Sequence, residues 1–327
     1  MEPSRLWVRI GVLATLALAV ALASLLSGTA GIDAREAIDA LWHGTDATAR
    51  SVLLDVRIPR LLAAFGVGSV LALAGVLLQA LFRNPLADPY VLGVSGGAAV
   101  GALLAMLAGA GAVLVQSAAV TGALGSVAIV YVLARSGGVP QLLLTGVVMA
   151  SACGAFVAIL LALADSMRLR GMVFWLAGDL GWASSATPGV VGALLAVSLA
   201  VLLARPLNVL AAGELRARSL GLDFERWRGA VVLACAVLTS IAVVSAGTVG
   251  FVGLITPHGV RMLFRTSDHR IVAPAAAFLG GTLLAAADLV ARTVASPRQL
   301  PVGAIMALVG APLFVALLRN RSRHELR

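Results

Sequence analysis

Cations rather than nucleophiles carry the chemistry legible in this sequence. Arg57 and Arg60 flank Pro59, and Arg292 lies four residues after Asp288, a spacing that permits an ion pair on one helix face. Together these three arginines make a positive rim suited to docking an acidic partner. A second group is the run Gly213-Glu214-Leu215-Arg216-Ala217-Arg218-Ser219-Leu220-Gly221-Leu222, which reads as a short helix with Gly221 as its stop. Leu215, Arg218 and Leu222 share one face of it, free to lie on a membrane surface or press on a partner. Catalytic pairings are missing: no nucleophile stands beside a base, and no His, Cys or Asp spacing suits zinc. Cys153 and Cys235 fall in apolar runs and read as small core residues. His258, beside Pro257, reads as a backbone cap.

The elements that position these groups must live in lipid. Of 327 residues, 60% are apolar and only 12% charged, against about a quarter charged in a soluble domain, and mean hydropathy is +1.01. Stretches such as 67–81 are apolar all round, which excludes the short alternating segments of a β-barrel. Ten spans of roughly membrane length are expected, near 10–27, 60–80, 91–108, 113–134, 141–164, 188–204, 229–246, 249–264, 272–290 and 303–318. The first could pass for a signal peptide, with small residues at 27–30, but the spans that follow favour an uncleaved helix. All 24 basic residues are arginine. A phosphate-binding P-loop requires lysine after its glycines, so any ATP chemistry must belong to another chain.

Arginine placement sets the orientation. With the N-terminus inside, sixteen of the 24 fall on the cytoplasmic side (Arg5, Arg9, Arg83, Arg135, Arg205, Arg216, Arg218, Arg226, Arg228, Arg261, Arg265, Arg270, Arg319, Arg321, Arg323, Arg327) and eight outside. The longest polar stretch, 205–228, is then cytoplasmic. Ala74-Gly75 is followed by Pro85 at the interval that separates Ala246-Gly247 from Pro257. Five spans apart, the two copies suggest an inverted repeat. Gly93, Gly97 and Gly101 recur every four residues and read as a close helix-packing face. Mid-span carboxylates, the usual mark of ion-coupled carriers, are not found.

In order along the chain, several blocks resemble one family. They are Arg57-Ile58-Pro59-Arg60; Gly75 and Gln79; Asn84-Pro85-Leu86-Ala87-Asp88-Pro89 with Leu92-Gly93 and Gly97-Ala98; Phe174-Trp175 and Gly178; and the 213–222 segment. The series continues with Gly250-Phe251-Val252-Gly253-Leu254-Ile255-Thr256-Pro257-His258, Asp268-His269-Arg270, Ala287-Asp288, Arg292, Pro301-Val302-Gly303 and Gly310-Ala311-Pro312. The chain resembles the FecCD/BtuC permease subunits of ABC importers for iron chelates, haem and vitamin B12. Asp179 departs from the family's usual residue after Gly178.

The resemblance implies an all-α polytopic membrane protein: one permease domain over 1–327, with about ten transmembrane helices in the inverted-repeat, type II importer fold. It implies a homodimer in the bacterial inner membrane with both termini cytoplasmic, two ATPase subunits that carry ATP and Mg, an extracytoplasmic binding protein, and no nucleic acid. No cofactor or metal would be bound by this chain itself. Gly213, Glu214, Ala217, Arg218, Leu220 and Gly221 would meet the ATPase, and Arg57, Arg60 and Arg292 the binding protein. Thr145, Met149, Cys153 and Phe156 would line the pathway from the fifth span. Haem is the leading substrate expectation, with Arg168 and Arg170 at the outer mouth attracting its propionates, and siderophores and cobalamin follow. A stand-alone secondary carrier or channel is the alternative of another class.

Overall fold

The computed structural model describes residues 3–28, 47–181 and 187–325, with positions 35, 36 and 39 between the first two stretches; side chains are described from Arg5 to Ala316. Residues 29 and 30 of the small-residue stretch, the side chains of Arg319, Arg321 and Arg323, and Arg327 lie outside the described residues. Helices account for almost all of the rest, in the order α1 (Pro3–Leu26), α2 (Ala47–Ser51), a π-helical turn (Val52–Arg57), α3 (Ile58–Phe82), a 3₁₀ turn (Pro89–Leu92), α4 (Val94–Leu107), α5 (Ala112–Leu133), α6 (Gly138–Leu163) and α7 (Ser166–Ala177). They continue with α8 (Thr187–Ala211), α9 (Glu214–Ser219), α10 (Phe224–Ala246), α11 (Val252–Phe264), α12 (His269–Thr293) and α13 (Val302–Glu325).

Each of the ten expected spans coincides with a helix. Among the described residues seven continuous helical stretches are long and apolar enough to cross a membrane, and Val94–Leu107 and Val302–Ala316 are shorter apolar helices. The tenth, α11, has 13 residues. It is separated from α10 by Gly247, at φ +66°, and by Phe251, which is left-handed at φ +68°.

The second span begins earlier than expected. Helix runs without interruption from Ala47 to Phe82 through the π-turn, because Ala49 and Leu53 bury against Leu26 of α1 and hold the polar-looking extension in place. Likewise α8 does not stop at residue 204. It passes through Pro206 to Ala211, since Leu207 and Leu210 are buried and the packing of that face outweighs the backbone bond lost at proline. The expected 205–228 coupling segment therefore contracts to the chain between α8 and α10.

The most enclosed of the long helices is α3, which packs on α8, α10, α11 and α12. Glycine makes this possible. A Cβ on Gly66 would lie 2.0 Å from the Gly189 carbonyl oxygen of α8, on Gly68 2.2 Å from that of Gly280 in α12, and on Gly75 1.9 Å from that of Gly253 in α11. The expected ladder on α4 behaves similarly in part: Gly97 and Gly101 abut Gly122 and Ala118 of α5, whereas Gly93 caps the helix at φ +77°. The sequence repeat does not mark equivalent places. Ala74-Gly75 lies in mid-helix, while Ala246-Gly247 ends α10.

Candidate functional site

The arginines expected on the outer side do not stand free. Arg57, Arg60 and Arg292 are 3%, 7% and 6% exposed. Burying a guanidinium is costly unless its donors are used, and here most of them are, Arg292 Nε excepted. Arg60 donates from Nε and Nη2 to the Asp288 carboxylate at 2.8–3.1 Å, and from Nη1 to Gln299 Oε1 at 2.8 Å. Arg292 Nε lies 3.4 Å from Asp288 Oδ2, an oxygen that Arg60 Nε also reaches. The two terminal nitrogens of Arg292 donate to the Ser24 and Ser27 carbonyls, and Arg57 donates to that of Leu25. Those carbonyls are the orphan acceptors at the end of α1. One carboxylate thus gathers cations from α3 and α12, and the cations in turn cap α1. The rim expected from sequence is a buried clasp because Asp288 and the helix end supply the acceptors water would otherwise provide.

At the opposite end of α3 lies the 213–221 segment. Gly213 enters α9 at φ +102°, with the Arg83 guanidinium of the α3 terminus lying against it. Ala217 is buried and anchors the turn, while Gly221 stops it at φ +80°. Glu214 and Arg218 pair with each other at 2.7 Å on the surface. Leu215 and Leu220 are 86% and 69% exposed. Leu222 departs from the expected shared face and packs on the core.

Nearby, Asn208 of α8 donates from Nδ2 to Asp268 Oδ1 at 2.7 Å, and its Oδ1 accepts from the backbone N–H of His269 at 2.9 Å. Hydrogen bonds from the Arg270 N–H and from Asn208 hold the Asp268 carboxyl below its usual range. Gln79 of α3 bridges α11 in both directions. It donates to the Gly253 carbonyl at 3.2 Å and accepts from Arg261 at 2.6 Å.

The pathway residues divide. Cys153 is buried on the face of α6 turned toward α4, where its Cβ meets Gly96, and Met149 covers Gly93. Both fill space that the glycines at 93 and 96 leave open. Thr145 is half-buried and Phe156 is exposed, beside an open arc containing Leu144, Val147, Val148 and Ile159. At the expected outer mouth, Arg168 is tied to Asp165 at 3.4 Å and donates to the Leu107 carbonyl that ends α4. Arg170 stands over the Phe174 ring at 5.8 Å. Among the described residues no group of three His, Cys, Asp or Glu is placed to hold a metal.

The sequence profile of the FecCD transport family matches residues 16–320. The chain belongs to the FecCD transport family. A FecCD chain is the membrane-spanning permease subunit of an ABC importer, with ATP hydrolysis in a separate subunit. The cobalamin import permease BtuC of Halobacterium salinarum is 43% identical over 292 residues, covering 86% of this chain and 77% of that protein. The hemin transport permease HmuU of Yersinia pestis is 39% identical over 298 residues, covering 88% and 86%. Vitamin B12 permease names recur among other relatives. A solved structure described as an inward-facing conformation of a transporter assigned to the metal-chelate ABC type superposes with a TM-score of 0.84 at 30% identity, covering 96% of this chain and 99% of that one.

Within this FecCD permease, sequence reasoning missed three things: the partnership of Arg60 with Asp288, the Asn208–Asp268–His269 contact, and the Gln79 bridge. A signal existed for the first. Asp288 lies on a stripe with Ala285, Ala287 and Ala291, and a carboxylate on an apolar face must recruit a cation. For the others, two uncharged amides gave no such signal.

Proposed function

We propose that this chain is one of two identical permease subunits of a cytoplasmic-membrane importer that moves a tetrapyrrole-type metal chelate inward by alternating access. ATP is bound by two partner ATPases, and cargo is delivered by an extracytoplasmic binding protein. Family membership along nearly the whole chain carries this reading. The distribution of arginines supports a topology with both termini in the cytoplasm. Pairing of two copies is supported by α6, whose open arc of Leu144, Val147, Val148 and Ile159 offers a second copy an apolar face.

Cobalamin takes precedence over haem as the cargo. The two arginines expected to draw propionates already serve Asp165, the α4 end and Phe174, and cobalamin names accompany the 43% relative. Haem is the second reading, on the hemin permease at 39%. Reconstituted with its ATPase and binding protein, the permease takes up labelled cobalamin only with ATP. Uptake driven by an ion gradient without the ATPase overturns the importer reading. ATP-driven uptake of haem and not cobalamin reverses the order of substrates.

Contact with the ATPase is assigned to α9. An exposed ion pair adds little to stability, so Glu214→Ala leaves the fold intact. Leu215→Asp places a charge on the surface leucine. Each lowers ATP-driven uptake about tenfold at unchanged permease yield, the scale of one lost interface residue. Wild-type uptake in both removes α9 from the coupling surface.

Docking of the binding protein is assigned to the outer end that Arg57, Arg60 and Arg292 build. Held inside, they act by fixing α1 against α3 and α12 and by an excess of positive charge that attracts an acidic partner.

A further inference from the structure

Between the ATPase side and the outer clasp runs one uninterrupted helix, α12. At its first residue, His269, it is fastened to α8. Asn208 Oδ1 accepts from both the His269 backbone N–H at 2.9 Å and the ring Nδ1 at 2.7 Å, while Asn208 Nδ2 donates to Asp268 Oδ1 at 2.7 Å. Asp268 also caps α12 through the Arg270 N–H at 2.9 Å. The amide of Asn208 is thus used at both ends, and its orientation is fixed by a carboxylate on one side and two N–H donors on the other. Asn208 stands five residues before Gly213, the entrance of α9. Nineteen residues beyond His269 is Asp288, and at 1.5 Å per residue that is about 28 Å away. There α12 carries both Asp288 and Arg292 of the clasp.

Helix α12 also lies against α3, with the Gly68 and Gly280 backbones in contact, and it continues as one helix through Pro274 with a polar fastening at each end. Displacement of α9 pulls on the end of α8, and the Asn208 fastening passes that displacement to α12. The apolar packing of α8 on α12 could slide, but three hydrogen bonds on one amide set a register.

Resting on the importer reading above, we propose that Asn208, Asp268 and His269 form a latch that couples movement of α9 to α12, and through it to the outer clasp. These are positioning residues. They touch neither cargo nor nucleotide, and they determine whether hydrolysis is converted into transport.

The experiment uses the full complex with ATPase and binding protein in proteoliposomes. It compares wild type, Asn208→Asp, and the exchange Asn208→Asp with Asp268→Asn. Asn208→Asp keeps the acceptor for His269 but sets two carboxylates against each other. The exchange restores one amide and one carboxylate in the same place. Uptake per ATP hydrolysed is expected to fall about tenfold in Asn208→Asp, with basal hydrolysis and binding-protein affinity unchanged, and to return to within about twofold of wild type in the exchange. Normal coupling in Asn208→Asp, or no recovery in the exchange, overturns the latch. If Asn208→Asp fails to assemble, the exchange decides alone: coupled transport supports the latch, and its absence overturns it. Failure of the wild-type complex to move cargo with ATP would instead strike the importer reading.

Discussion

Asp288→Ala is expected to be among the most damaging single substitutions in this permease, lowering the detergent-solubilised melting temperature by about 6 °C. The removed carboxylate is the acceptor for three nitrogen–oxygen contacts from Arg60 and the counter-charge of Arg292, all in the interior. Stripping one partner from a buried pair costs about 3–5 kcal/mol, because the remaining charge is neither solvated nor paired. In a chain of this size each kilocalorie is worth roughly 1.5 °C. The loss reaches α1 as well, since Arg292 holds the Ser24 and Ser27 carbonyls. Binding-protein affinity falls with it. A double variant, Asp288→Leu with Arg60→Met, removes both main charges and should be more stable than Asp288→Ala alone. A double variant no more stable than Asp288→Ala would contradict the account, as would a melting temperature for Asp288→Ala within 2 °C of wild type.

The second large effect is Gly75→Ala. Its added methyl would stand 1.9 Å from the Gly253 carbonyl oxygen and 2.5–2.6 Å from the rest of that residue's backbone. No rotamer change relieves a clash with backbone, so α3 and α11 must separate, which breaks close packing along both helices. Overpacking of this kind costs about 3 kcal/mol, and at this site it also strains the Gln79–Gly253 bond one turn away. Gly125→Ala is the control. It lies on α5 with nothing within 4 Å of the added atom, and it gains roughly 0.5–1 kcal/mol of helix preference. Thermal unfolding and monodispersity of the purified pair are the measurements. Equal behaviour of the two variants would show that the helix contact yields more easily than the backbone distances imply.

What the sequence disclosed was governed by range. Helices that are apolar all round, such as α3 and α6, could be read directly, because lipid and core demand the same residue types. The α9 turn was legible from Gly221, whose positive φ fits the stop expected of it. The extension before α3 was hidden, since Arg50, Asp55 and Arg57 resemble a loop until their partners are known. Arg60 and Asp288 are 228 positions apart, and no local spacing connects them. Periodicity on α6 identified a face but not its neighbour. That neighbour includes Gly93 and Gly96, against which Met149 and Cys153 lie.

The π-turn at Val52–Arg57 has a consequence for how this outer wall can diverge between relatives. Its wider winding stores one surplus residue within an otherwise continuous helix. Losing that residue would spin Ala47–Ser51 by about 100° about the axis. Ala49 would leave its seat on Leu26, while everything from Ile58 inward stayed in phase. The turn is a swivel at which the exterior can be re-aimed and the interior left alone.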